Sequence, residues 1–167
     1  MTDEAQDPID RLVEQWHRER PDLDLAPMGL IGRLLRTARI ADRAIDARLS
    51  GHGLQPGWFD LLSALRRTGA PHRLTPGQLS SSLMLSTGGM TKRLDRMEAA
   101  GLVERHPDPT DRRGALVGLT RKGRRVIDVA VADHLENERD LLRGLTKAER
   151  AQFDTLLRKL GADSRPG

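Results

Sequence analysis

Apolar residues recur at helical spacing along most of the chain, and the runs break at proline and glycine. Ile9, Leu12, Val13 and Trp16 predict a short amphipathic helix over residues 8–20, beyond which Pro21 blocks continuation. LDLAPMG reads as a linker. Leu30, Leu34, Ala38, Ala41, Ile45 and Leu49 then step by fours and one three, predicting a long helix from about 28 to 50 that Gly51 and Gly53 stop. Pro56 suits the first turn of a third helix with Phe59, Leu62 and Leu65 on its apolar face, closing at Gly69.

Thr75-Pro76-Gly77-Gln78 has the form of a capping box with proline at the first helical position. Its short helix, QLSSSLM, ends near Leu83, and Ser86 is placed to cap the next one. In that helix Met90, Leu94 and Met97 form the inward stripe, and Gly101 ends it. The period then changes. LVERH and ALVGLT read as strands around PDPTDRRG, a turn-rich tip with two prolines, so a β-hairpin is expected. Thr120 opens another long helix, to about Leu142. A second capping box, Thr146-Lys147-Ala148-Glu149, starts a last one with Phe153, Leu156, Leu157 and Leu160 on its inner face. GADSRPG is expected to be disordered, and no repeat at solenoid period occurs.

The 167 residues suffice for one core or two closely packed lobes. No apolar run approaches the roughly 18 residues of a membrane span. MTDEAQDPID is acidic and lacks the apolar segment of a secretion signal, so a cytoplasmic location is expected and no membrane partner. Cysteine is absent, which removes disulfides, thiolate metal sites and thiol chemistry. The net charge of +4 hides an asymmetry: residues 91–125 hold ten basic and five acidic side chains, leaving −1 for everything else. A concentrated positive field on a near-neutral body suits a polyanion partner.

Enzyme signatures are missing. His17, His52, His72, His106 and His134 lack ligand spacing, so neither a metal nor another cofactor is expected. Gly51-His52-Gly53 follows a helix and does not make a phosphate loop, and no serine elbow occurs. Aromatic residues are 2% of the chain, too few for single-strand stacking platforms. A binding module is therefore favoured over catalysis.

The positive signal is the order helix, tight connection, helix, basic hairpin over 75–119. Two short helices so joined match a helix-turn-helix. With Met90, Leu94 and Met97 inward, Thr87, Gly88, Thr91, Lys92, Asp95 and Arg96 share the outer face, suited to a major groove. Thr87, Thr91 and Lys92 are candidates for base and phosphate contacts, with Arg96 beside them and Ser86 a cap that also reaches phosphate. At the hairpin tip Arg113 is the candidate for minor-groove insertion, Arg112 for phosphate, and Asp111 for bracing the guanidinium.

STGGMTKRLDRMEAAGLVER and DPTDRRGALVGLTRKGR resemble the MarR family of winged-helix transcriptional regulators, and the likeness extends over nearly the whole chain. It implies a mainly helical fold with a small β-hairpin wing. N-terminal helices (1–53) and C-terminal helices (120–167) would serve dimerisation and flank a winged helix-turn-helix (54–119). It further implies a homodimer on a pseudo-palindromic duplex, repressing until a small molecule releases it. The likeness narrows toward the urate-responsive branch, whose ligand residues match Trp16, Asp60, Arg93 and Arg105. The effector implied is urate or another aromatic or anionic compound. Activation or dual regulation on the same fold, and a helical protein–protein adaptor with a basic surface, remain as alternatives.

Overall fold

The computed structural model describes residues 7–83, 87–111 and 114–163. They form seven helices and three short strands, in two compact units, 1–44 and 45–167, that are described separately.

In the first unit, α1 (Pro8–Glu19) starts where Asp7 accepts a hydrogen bond from the Ile9 amide, with proline in its first turn. Its companion, α2 (Ala26–Ser50), begins two residues before the expected start. Pro27 lies in its opening turn, where proline's missing N–H costs nothing, and Asp24 accepts from the Ala26 amide. Four of the seven residues of the presumed linker, 26–29, are therefore the first turn of α2. Ile9 and Val13 lie over Gly32 and Gly29, and Arg33 pairs with Asp7 and Asp10, fixing α1 along α2.

The second unit is built around α3 (Trp58–Arg67). Leu61, Leu62, Ser63, Ala64 and Leu65 are all buried, a wider surface than the expected Phe59, Leu62 and Leu65. The helix is covered by α4 (Pro76–Leu83), α6 (Arg121–Leu141) and β3 (Ala115–Leu119), so more than one stripe is enclosed. Phe59 sits at the edge, 4.5 Å from the His134 ring. Each fully buried leucine contributes about 1.5–3 kcal/mol, and Leu61, Leu62, Leu65, Leu79 and Leu94 all fall in this cluster.

The expected hairpin forms from β2 (Val103–Pro107) and β3, antiparallel with Val103 opposite Leu119 and Pro107 opposite Ala115. A third strand went unforeseen. β1 (Arg73–Leu74) adds to the other edge of β3, giving the order β1-β3-β2. Two residues are too few for an alternating pattern to register.

α5 (Thr87–Ala99) ends at Gly101, whose φ is +69°. There the chain doubles back on itself. The Thr120 hydroxyl donates to the Gly101 carbonyl at 2.7 Å and accepts from the Gly123 amide at 2.9 Å, capping α6. The Thr120 amide donates to the Leu102 carbonyl, and Lys122 Nζ donates to the Ala100 carbonyl at 2.8 Å. α6 crosses so closely that a Cβ at position 123 would lie 1.9 Å from the Leu102 oxygen.

α7 (Lys147–Asp163) opens on the expected capping box, with Thr146 and Glu149 exchanging hydrogen bonds. Two expectations need correction. Residues 161–163 continue the helix where disorder was expected, while 164–167 lie outside the described residues. The supposed inner face is uncovered within this chain: Phe153, Leu156 and Leu157 are 41%, 56% and 40% exposed. Leu30, expected on the stripe of α2, is likewise 69% exposed.

Gly123→Ala is expected to destabilise by about 2 kcal/mol or more, because the obstructing atom is backbone. Gly144→Ala, with nothing within 4 Å, serves as the near-neutral control in the same urea titration. Asp133, on α6, receives a hydrogen bond from His52 at 2.8 Å and another from Arg48, which hold its carboxyl below the usual carboxylate range. Its contribution is therefore full above about pH 4 and is lost as pH falls through the lowered folded value. Asp133→Asn should flatten that acid limb in melting curves taken from neutral to acid pH.

Candidate nucleic-acid interface

The capping box seen in the sequence sets the first helix of the motif. The Thr75 amide donates to Gln78 Oε1 at 2.9 Å, and the Gln78 amide donates to Thr75 Oγ1 at 3.1 Å. α4 then leads into α5, whose Met90, Leu94 and Met97 are 2%, 2% and 0% exposed. Burying that stripe turns Thr91, Lys92, Asp95 and Arg96 to solvent, as their spacing required. Gly89 is exposed too, and nothing lies within 4 Å of where its Cβ would stand. Thr87 opens the helix. Ser86 lies outside the described residues.

The wing follows directly. Its tip is ordered on one side by Asp108, whose carboxylate accepts from the Thr110 amide at 2.8 Å and its hydroxyl at 2.7 Å. Those bonds hold the Asp108 carboxyl below its ordinary range. The Asp108 amide donates to the Gly114 carbonyl and the Gly114 amide to that of Asp111, closing the loop. Asp111 is exposed; Arg112 and Arg113, the two tip cations, lie outside the described residues.

Arg105 joins wing to helix. From β2 its Nη2 donates to Asp95 at 2.5 Å and its Nη1 to Glu98 at 2.5 Å, while its backbone amide donates to the other Glu98 oxygen. The Asp95 hydrogen bond, with Glu98 behind it, holds the guanidinium even more firmly protonated than usual. The sequence offered Asp95 on the outer face of α5, but only the strand's return across the helix brings a cation to it and to Glu98.

Behind α5 lies a cleft of about 490 Å³ lined by Pro56, Gly57, Asp60, Arg67, Ser82, Leu83 and Arg93. Two of the four residues expected to bind a ligand, Asp60 and Arg93, therefore face one cavity. Arg105 is engaged at the clamp instead, and Trp16 stands on α1, 46% exposed. Arg67 and Gly57 were not singled out in the sequence. Gly57 has φ +76°, and a Cβ there would sit 3.0 Å from Arg93 Cζ, so the bare backbone is what lets the guanidinium lie against it. Among the described residues the side chains of Asp60, Arg67 and Arg93 make no hydrogen bond or ion pair of their own.

A helix-turn-helix whose second helix is exposed along a polar face, followed by a braced hairpin, defines a winged-helix DNA-binding protein. The MarR family model matches residues 52–114. The transcriptional regulator PecS of Dickeya dadantii (strain 3937) is 42% identical over 149 residues, covering 89% of this chain and 90% of that protein. The multiple antibiotic resistance protein MarR of Escherichia coli (strain K12) is 31% identical over 140 residues, covering 82% of this chain and 92% of that one. A mutant E. coli MarR solved with operator DNA superposes with a TM-score of 0.71 at 30% identity, covering 81% of this chain and 96% of its own. The chain belongs to the MarR family. It is a DNA-binding transcriptional regulator and not an enzyme.

Arg105→Ala removes the clamp while leaving the core stripe intact. Amide exchange in β2 and β3 is expected to accelerate, whereas global stability should change by no more than about 1 kcal/mol, since the ion pairs are partly solvated.

Proposed function

We propose that the protein acts in the cytoplasm as a homodimeric repressor that occupies a pseudo-palindromic duplex operator until a small aromatic or anionic effector releases it. The observation that carries the DNA-contact assignment is the exposed face of α5, with Thr91, Lys92 and Arg96 opposite the buried Met90, Leu94 and Met97. Thr87, Thr91 and Lys92 enter the major groove, with Ser86 at the phosphate. Arg96 supports phosphate binding from the next turn, and Arg113 enters the minor groove with Arg112 and Asp111 beside it.

Dimerisation is supported by the apolar surface left on the chain's outer helices. α1 buries no residue fully, Leu12 and Trp16 are exposed on it, and Phe153, Leu156 and Leu157 stand uncovered on α7. Surfaces of this kind mark interfaces. A second copy related by a two-fold axis would cover them and present two recognition helices to successive half-sites. Effector release is supported by the cleft itself, because Asp60 stands on α3 and Arg93 on the recognition helix. A ligand touching both biases where α5 sits, and DNA affinity with it.

Duplexes selected from a random pool supply the operator for titration by fluorescence anisotropy. Binding should fall steeply with salt through counterion release, and Lys92→Ala, which removes one contact from each protomer of the dimer, should lower the salt slope by about 2. Arg113→Ala should cost about 1–3 kcal/mol at the selected site. Sedimentation equilibrium should return twice the 18.6 kDa chain mass. A strictly monomeric chain that ignores every duplex at low ionic strength overturns this reading and favours an adaptor.

A further inference from the structure

We infer that the outer face at the start of α6, with Arg121, Arg125 and Val129 along one line, is a docking surface for an acidic segment of another protein, engaged while the opposite side of the winged helix-turn-helix holds DNA. The inference stands on the DNA-binding role of the family and needs neither repression nor an effector.

Positions 121, 125 and 129 fall four apart on the side of α6 opposite its buried Gly123, Ile127 and Ala130. Arg121 and Arg125 are exposed, and among the described residues neither side chain makes a hydrogen bond or an ion pair. Lys122 is spent on the Ala100 carbonyl at 2.8 Å. Asp128 is paired with Arg66 of α3 at 2.7 Å and stands 3.9 Å from Arg124. The first turn of α6 has no acidic residue, and its first two turns carry Arg121, Lys122, Arg124 and Arg125 against Asp128 alone. Cations at the amino end of a helix oppose its dipole, and like charges four apart repel. The fold therefore has no use for the charge of Arg121 or Arg125. Thr120 accepts from the Gly123 amide through its hydroxyl and from the Arg124 amide through its carbonyl, so this helix end offers an anion side chains, not N–H groups.

Position selects the partner. The Thr120 hydroxyl is bonded to the Gly101 carbonyl, so Arg121 follows the end of α5 that lies farthest from Thr87, roughly 20 Å along the helix. The hairpin tip is a strand's length away, roughly 16 Å along Val103–Pro107. A duplex held by the opening turns of α5 and by that tip leaves this face uncovered. Val129, one turn beyond Arg125, is 60% exposed. A phosphate backbone offers it no aliphatic contact. A polypeptide can set carboxylates on the two guanidinium groups, whose forks match them, and an aliphatic side chain on Val129. A segment mixing Asp or Glu with aliphatic residues meets both requirements.

The test holds the full chain on its selected duplex, which occupies the recognition face, and titrates it into a fluorescein-labelled peptide repeating Glu-Glu-Leu, with a Gln-Gln-Leu repeat as the neutral control. Anisotropy of the acidic peptide should rise and the gain should fade as salt is added, while the neutral peptide stays unbound. Arg121→Gln combined with Arg125→Gln should weaken the acidic peptide about fivefold or more. Arg143→Gln combined with Lys147→Gln removes the same charge beyond the far end of α6 and should bind within about twofold of wild type. The Arg121 and Arg125 variant should keep wild-type operator affinity and sedimentation mass, and its melting temperature should hold or rise, since the replaced charges oppose the helix dipole. Failure of the acidic peptide to bind, an equal loss in both double variants, or a melting temperature lowered by about 3 °C or more in the Arg121 and Arg125 variant overturns the inference. A loss of operator affinity in that variant places DNA on this face, and a change in its mass places a second copy there; either result also overturns it.

Discussion

The winged helix-turn-helix depends on the junction where the end of α5, the start of β2, the end of β3 and the start of α6 meet. Thr120 and Lys122 reach the carbonyls at the end of α5, Thr120 caps α6, and Gly123 allows α6 to pass against Leu102. Carbonyls at a helix end and amides at a helix start both lack intrahelical partners. Here the two deficits are met by one hydroxyl, which donates to the first and accepts from the second. The recognition helix, the base of the wing and the following long helix are therefore fixed to one another by hydrogen bonds from the Thr120 and Lys122 side chains to backbone groups and by the Thr120 amide to the Leu102 carbonyl. An unpaired group here would leave a desolvated carbonyl or amide, so the arrangement tolerates little variation.

From that junction the functional face follows. The buried methionines and leucine of α5 set its rotation about its own axis, and the Arg105 clamp to Asp95 and Glu98 fixes the wing against it. The clamp spends one strand arginine on two carboxylates of the helix, so their charge is balanced where the hairpin is braced. Behind the same helix, Arg93 lies against the bare backbone of Gly57 in the cleft it shares with Asp60 and Arg67. Helix α5 thus borders two surfaces of different chemistry, one polar and open, the other concave and positively charged.

The chain also leaves many large apolar side chains exposed. Small chains bury a limited fraction of their surface, and here the helices outside the winged core hold most of the uncovered large side chains, including Trp16, Leu35, Leu156 and Leu157. Helical periodicity in those segments was real, but it described a face that this chain does not itself cover.

Local chemistry was legible residue by residue. The capping boxes at Thr75 and Thr146, the start of a long helix at Thr120, the stripe of Met90, Leu94 and Met97, and the hairpin between LVERH and ALVGLT depend on neighbours a few positions apart, so spacing alone predicted them. Spacing could not show that α3 would be enclosed on several sides, that a two-residue strand would join β3, or that Pro27 would lie inside α2. Nor could it separate three similar arginines: Arg66 is bound to Asp128, Arg105 to Asp95 and Glu98, and Arg67 faces an open cleft. The amino-acid order determined which segments are helix, turn or hairpin, because those choices are made by contacts within a few residues. Which charges are paired within the fold and which stand unpaired among the described residues was decided by the tertiary structure alone, because pairing depends on distances between segments far apart in the chain.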